Sequence, residues 1–156
     1  MQTLEYRTID KAGWGDGPWQ SEPDKRQWMD ETTGLPCLIV RGPLGALCGY
    51  VGVPNGHLAY GKDYDSVGVE AHGGLTFSAR CQPGVESHGI CHKVAPGEPD
   101  DVWWLGFDCA HDGDVRPAHG DPYNAPFPGD TYKDIAYVTE QITALAAQFK
   151  AMGSGT

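Results

Sequence analysis

Residues 102–114 read VWWLGFDCAHDGD, and the extended run at their head decides how the rest of the chain is read. A strand sends alternate side chains to opposite faces. Trp103, Leu105 and Phe107 then share one face, and Trp104, Gly106 and Asp108 share the other. The first set is a core face. The second, an indole, a missing side chain and a carboxylate, has the make-up of a binding surface.

The stretch HGGLTFS (72–78) reads the same way: Gly73, Leu75 and Phe77 on one side, His72, Gly74, Thr76 and Ser78 on the other. If the two segments are neighbours, their glycines open a shallow floor walled by Trp104. An aromatic platform with a few converging polar groups is the usual composition of a small-molecule site. An indole suits a flat π-faced ligand such as a nucleobase. The expected ligand-binding set is therefore His72, Thr76, Ser78, Trp104, Asp108 and His111, with Lys62 and Arg80 as the cations nearest in kind to a phosphate partner and Arg116 as a third. The competing reading is a solvent-facing sheet surface carrying a half-buried tryptophan.

Working outward, PCLIVRGPLGALCGYVGVP predicts strands over about 37–41 and 46–53, joined by a turn at Gly42-Pro43. Residues 56–67 are loop-like, and 67–80 predict two strands or one strand bent at Gly73-Gly74. A long excursion over 82–100 and a Pro/Gly-rich loop over 112–130 flank the opening segment; loops of that length are usually functional or mobile. Near the C-terminus, Ile135, Val138, Ile142, Leu145 and Phe149 recur at spacings of three and four, one apolar stripe of a helix over about 131–151. Asp130 is its expected N-cap and Gly153 its terminator. The fold class expected is α+β: a mainly antiparallel sheet with one C-terminal amphipathic helix packed on one face. Residues 1–34 read as an irregular arm carrying Trp14, Trp19 and Trp28, residues 35–152 as a single domain, and 153–156 as a disordered tail.

Composition narrows the function classes. With 22 glycines and 12 prolines in 156 residues, the chain must be rich in turns. Its net charge of −10 opposes direct nucleic-acid binding, which needs a basic footprint, and anionic membranes as well. The N-terminus lacks the pattern of a secretory signal and no apolar run is long enough to span a bilayer, so the expected location is cytoplasmic. Five cysteines without an export signal read as free thiols, with pairing of Cys81 and Cys91, or a metal shared between them, as alternatives.

Metal chemistry is the second reading. Asp108, His111 and Asp114 form D-x-x-H-x-x-D, and a catalytic zinc or other divalent ion needs three such ligands and an open position. A softer set, Cys81, Cys91, His92, Cys109 and His111, has enough donors for structural zinc but no C-x2-C spacing. Cys109 with His111 as a nucleophile pair has no supporting signature. The loop GKDYD (61–65) lacks the frame of a phosphate-binding loop.

Three segments together, HGGLTFS (72–78), ICHKVAPGEPDDVWWLGFDCAHDGD (90–114) and TYKDIAYVTEQITALAAQ (131–148), resemble a group of short uncharacterised proteins of actinobacteria and their phages. The resemblance spans about residues 45–150. It carries no catalytic residue across. It implies an intracellular accessory protein, phage-encoded, of a kind that counters host defence by binding a nucleotide signal or blocking an enzyme. The leading expectation is thus a non-enzymatic protein binding a small molecule, a nucleotide by preference. The alternatives are a metal-dependent hydrolase using Asp108, His111 and Asp114, with His72 as further ligand or general base, and an acidic inhibitor that mimics nucleic acid. Homo-oligomerisation through the aromatic arm or the helix is left open.

Overall fold

The computed structural model of the chain describes residues 1–82, 84, 86–98, 100–119 and 129–153. Six strands, β1 (Leu4–Tyr6), β2 (Lys25–Met29), β3 (Pro36–Arg41), β4 (Leu47–Pro54), β5 (Phe77–Arg80) and β6 (Val102–Asp108), form one sheet in the order β1-β2-β3-β4-β6-β5. Every pairing is antiparallel. The one α-helix among the described residues, α1 (Ile135–Met152), packs against β4 and β3. The α+β architecture is as expected.

On the helix side, Cys37, Ile39, Leu47, Val51, Val53, Leu105 and Phe107 are buried against Val138, Ile142, Leu145, Ala146 and Phe149. The apolar stripe thus does what its spacing requires, and burying it supplies most of the stability of such a helix. The helix begins later than expected. Residues 131–134 stay outside the helix, because Thr131 exchanges backbone bonds with Gly113 and Val115 across an isolated bridge to Asp114. Asp134, rather than Asp130, is therefore the N-cap, accepting from the Tyr137 amide at 2.9 Å. Gly153 terminates the helix as expected. The tail beyond it and residues 120–128 of the 112–130 loop lie outside the described residues.

The opposite face is buried too. Leu38, Val40, Tyr50, Val102 and Trp104 form a second cluster, with Ile90 and Phe77 packed on it. Its cover is the excursion after β5, which crosses the sheet as a strap. A Cys81–Cys91 disulfide closes the strap on itself, so the all-thiol reading is corrected: only Cys37, Cys48 and Cys109 are free. Lys25 of β2 holds the strap from beneath. Its buried ammonium donates to the carbonyls of Glu86, Gly89 and Cys91 at 2.5–2.7 Å. Burial pushes its pKa down to about 8, which leaves it charged at neutral pH. Gln27, two residues on and on the same face, pairs with both the amide and the carbonyl of Lys93.

The N-terminal arm is likewise corrected, since β1 and β2 extend the sheet. The strand KRQWM looks too polar to be one, yet Lys25 and Gln27 are buried because the strap's carbonyls receive them. Trp28 does pack on the core. A buried polar knot joins this region to the start of the helix: Arg41 donates to Asp24, Glu22 and the Tyr132 hydroxyl. Within 67–80, only Phe77–Arg80 is strand. Glu70 is instead held by the Gln148 side chain, which accepts from its amide and donates to its carbonyl, both at 2.7 Å. Among the described residues, no helix is long and apolar enough to cross a membrane.

Candidate functional site

The neighbour relation inferred for the two alternating segments holds, since β5 pairs with β6. Its phase does not. Phe77 lies opposite Gly106 and Ser78 opposite Leu105, so Phe77 rather than Ser78 shares the face of Trp104. The strand starts only at Phe77, and alternation counted from His72 fails across the two positive-φ glycines.

Nor is there a vacant floor at Trp104. Its side chain is 0% exposed, covered by His92 of the strap with ring centroids 5.3 Å apart. The gap at Gly106 is filled by the chain itself: a Cβ there would fall on the Tyr50 ring and 2.7 Å from the Gly49 carbonyl. Trp104 is thus a core residue and not a ligand platform.

The open space lies one turn further along the same strands. A cavity of about 480 Å³ is bounded by the 42–46 turn, Cys48 and Tyr50 of β4, Thr76 and Phe77 at the head of β5, and Phe107, Asp108, Ala110 and His111 at the end of β6. Tyr50 and Phe77 meet edge to face, centroids 5.3 Å apart, and supply its aromatic wall. Its polar end is built from a turn. Asp108 accepts from the Ala110 amide at 3.0 Å and from the Thr76 hydroxyl at 3.1 Å. His111 Nδ1 is 3.1 Å from the Asp108 carbonyl, an obligate acceptor, so Nδ1 carries the proton and Nε2 the lone pair. Burial raises the Cys48 thiol to about 11, which leaves it protonated at neutral pH.

Beside this end stands a second group. Asp114 is almost wholly buried and accepts from His72 Nε2 at 2.9 Å, from Lys133 at 3.0 Å and from the His111 amide at 3.1 Å. Burial works to raise its pKa, but the hydrogen bonds from His72, Lys133 and the His111 backbone outweigh it and hold the carboxyl below its ordinary value. His72 Nδ1 lies 2.8 Å from the Tyr137 hydroxyl of α1. Gly73 makes the approach of the two imidazoles feasible. It has φ +69°, and a Cβ on it would sit 2.7 Å from the His111 ring.

Of the residues singled out from sequence, Thr76, Asp108 and His111 line the cavity, and His72 stands next to His111. The others are elsewhere. Ser78 accepts from the Tyr64 amide, the Lys62 carbonyl accepts from Trp103, and Arg80 lies over the Tyr60 ring. These contacts tie the 56–67 loop to the sheet, and none of the three residues lines the cavity. The metal-like cluster also differs in membership: His72, His111 and Asp114 place one ligand atom each within 4.8 Å of one another, whereas Asp108 is spent on its turn and on Thr76. The thiol-rich set is dispersed, because Cys81 and Cys91 are bonded to each other and Cys109 is in the helix-side core. Burial also raises the Cys109 thiol, which removes it as a nucleophile partner of His111.

Sequence reasoning missed Tyr50, Phe77, Lys133 and Tyr137 as contributors. Alternation in CGYVG places Tyr50 with Cys48 on the cavity face, and that signal was available. The reach of Lys133 and Tyr137 across to the 72–114 region was not, since it depends on how α1 docks. Comparison of the chain with protein-family models, with curated proteins and with solved structures gives no match.

Proposed function

We propose that the protein binds a small organic ligand with a flat aromatic body in the cavity between the 42–46 turn and the ends of β4, β6 and β5. One observation carries this reading: an aromatic-walled cavity of about 480 Å³ closes on a carboxylate and an imidazole. That volume falls within the ordinary range for ligand pockets, and an apolar wall with a few convergent polar groups is their usual make-up. The ring of the ligand packs against Phe77 and Tyr50. Asp108 and His111 Nε2 are both acceptors, so they select a ligand that presents N–H donors, as an amino-substituted nucleobase does.

The charge of the site refines the nucleotide expectation. None of the described lining residues is Lys or Arg, so the base and sugar are recognised here and a phosphate has no counter-ion. A nucleoside therefore fits better than a polyphosphate. In the phage setting implied by the resemblance, such a protein would act in the host cytoplasm by sequestering a nucleoside-type signal. In a reducing compartment the Cys81–Cys91 bridge would open, leaving the Lys25 contacts to retain the strap.

Thermal unfolding against nucleobases, nucleosides and nucleotides tests the reading. A ligand that binds only the native state at a hundred times its Kd adds about 2.7 kcal/mol. The expected result is a rise in Tm with amino-bearing nucleosides, smaller with their triphosphates, and lost in Phe77→Ala and Asp108→Asn. A flat response across the whole panel would sink the nucleobase assignment.

A further inference from the structure

We infer that His72, His111 and Asp114 form a binding site for a divalent transition metal of the zinc class, next to the organic pocket and sharing with it His111, whose Nε2 serves the metal or the organic ligand but not both at once. The inference does not rest on the nucleoside reading, since metal binding needs only these three side chains. Two imidazoles and one carboxylate are the donor set that zinc accepts, and three protein ligands leave a fourth position open. The three come from two separate segments, the loop before β5 and the turn after β6, which converge so that one donor atom of each lies within 4.8 Å of the others.

The surroundings are organised as for a metal. A ligating histidine normally has its other ring nitrogen held by an outer partner, which fixes the ring and its tautomer. Both imidazoles meet this condition. His111 Nδ1 pairs with the Asp108 carbonyl, which leaves Nε2 as its ligating atom. His72 Nε2 donates to Asp114 in the metal-free site and ligates once its proton moves to Nδ1, where the Tyr137 oxygen accepts it. Asp114 is fixed independently by the His111 amide. Gly73, with no side chain, leaves the space in which the His111 ring stands.

Besides this tautomer shift, which gives up the His72–Asp114 hydrogen bond, two costs accompany binding, and each is local. Donors at about 2.0–2.1 Å from zinc are roughly 3.4 Å apart in a tetrahedron, so the cluster must contract. His111 can supply that movement, because its side chain is 36% exposed while Asp114 is locked in place. The second cost is Lys133, whose ammonium neutralises Asp114 at 3.0 Å. It also donates to the Thr131 and Gly113 carbonyls, which can retain it when it withdraws from the carboxylate. Lys133 is therefore the resident cation that the metal displaces.

Calorimetric titration of the chelator-stripped full chain with Zn(II), and absorption titration with Co(II), test the assignment without any organic ligand. We expect one equivalent to bind, with the visible bands of low-symmetry four- or five-coordinate Co(II). His111→Ala and His72→Ala each weaken Zn(II) by at least about tenfold, while the exposed His88→Ala does not. Lys133→Met tightens Zn(II) by at least about tenfold, since the repulsion of a like charge a few ångströms from a divalent ion is of that order even at the dielectric of water. This gain of affinity cannot arise from a damaged fold. Absence of saturable binding in both the parent chain and Lys133→Met overturns the proposal, as does binding that survives both histidine substitutions. Metal binding without a nucleoside response would refute only the organic-pocket reading.

Discussion

At Gly106 the sheet has no room for even one methyl group. The Tyr50 ring crosses directly over this residue, and the Gly49 carbonyl stands 2.7 Å from where a Cβ would be. The ring is buried and packed edge to face on Phe77, so it can yield only by intruding on the cavity it walls. Gly106→Ala should therefore cost about 1–3 kcal/mol, the usual range for overpacking, read as a lower urea midpoint at unchanged slope. Asp24 gives a prediction of another kind. Burial raises its pKa, but bonds from Lys11, the Ile9 amide, Arg41 and the Thr8 amide outweigh this and hold the carboxyl below 3.8. As the pH falls the unfolded chain takes up this proton first. The stabilisation is thus complete above pH 3.8 and lost as the pH drops through the lower folded-state value. Asp24→Asn should cost about 3 kcal/mol near neutrality, by leaving Lys11 and Arg41 buried without their counter-charge, and should flatten the acid limb of the stability profile. Alternation at this scale was legible in part. It assigned Trp104, Gly106 and Asp108 to one face, which is correct, but local sequence cannot announce a cover that arrives from residues 86–93.

Among the elements, the strap and the helix behave differently. The helix was legible because its stripe is local: Val138, Ile142, Leu145 and Phe149 are all fully buried. Its start was misplaced because tertiary pairing of Thr131 overrides the propensity of the preceding turn. Asp134→Ala should cost about 1 kcal/mol, whereas Asp130→Ala should not disturb the cap, a contrast measurable by thermal unfolding. The strap was legible only as an unusually long excursion. Nothing in its own residues indicates that a lysine on β2 will hold three of its carbonyls. Closing a loop of this length with a disulfide contributes about 2–3 kcal/mol in the chain-entropy account. Reduction should lower stability by that order. Lys25→Met should loosen the strap further, seen as faster amide exchange over residues 86–93 and as greater access of a neutral quencher to Trp104.

For the molecule as a whole, the class was readable because both periods, two in the strands and 3.6 in the helix, are written into long apolar segments. The two N-terminal strands were not, since their buried side chains are polar and make sense only beside the strap and the Arg41 knot. The site was readable to the extent that it is built from one short segment: Asp108, His111 and Asp114 stand within seven residues. What His72 and the helix add comes through docking. That same construction has a kinetic corollary. The β3–β4 hairpin can close early through its five-residue turn, but β4 finds its other neighbour only at residues 102–108, after the entire intervening chain has been drawn in. Long-range pairings of this kind put a protein among the slower folders. Both the cavity and the histidine cluster depend on β6 being in place, so neither can exist on a nascent chain still short of residue 114; binding competence should emerge in step with the last folding phase and never before it.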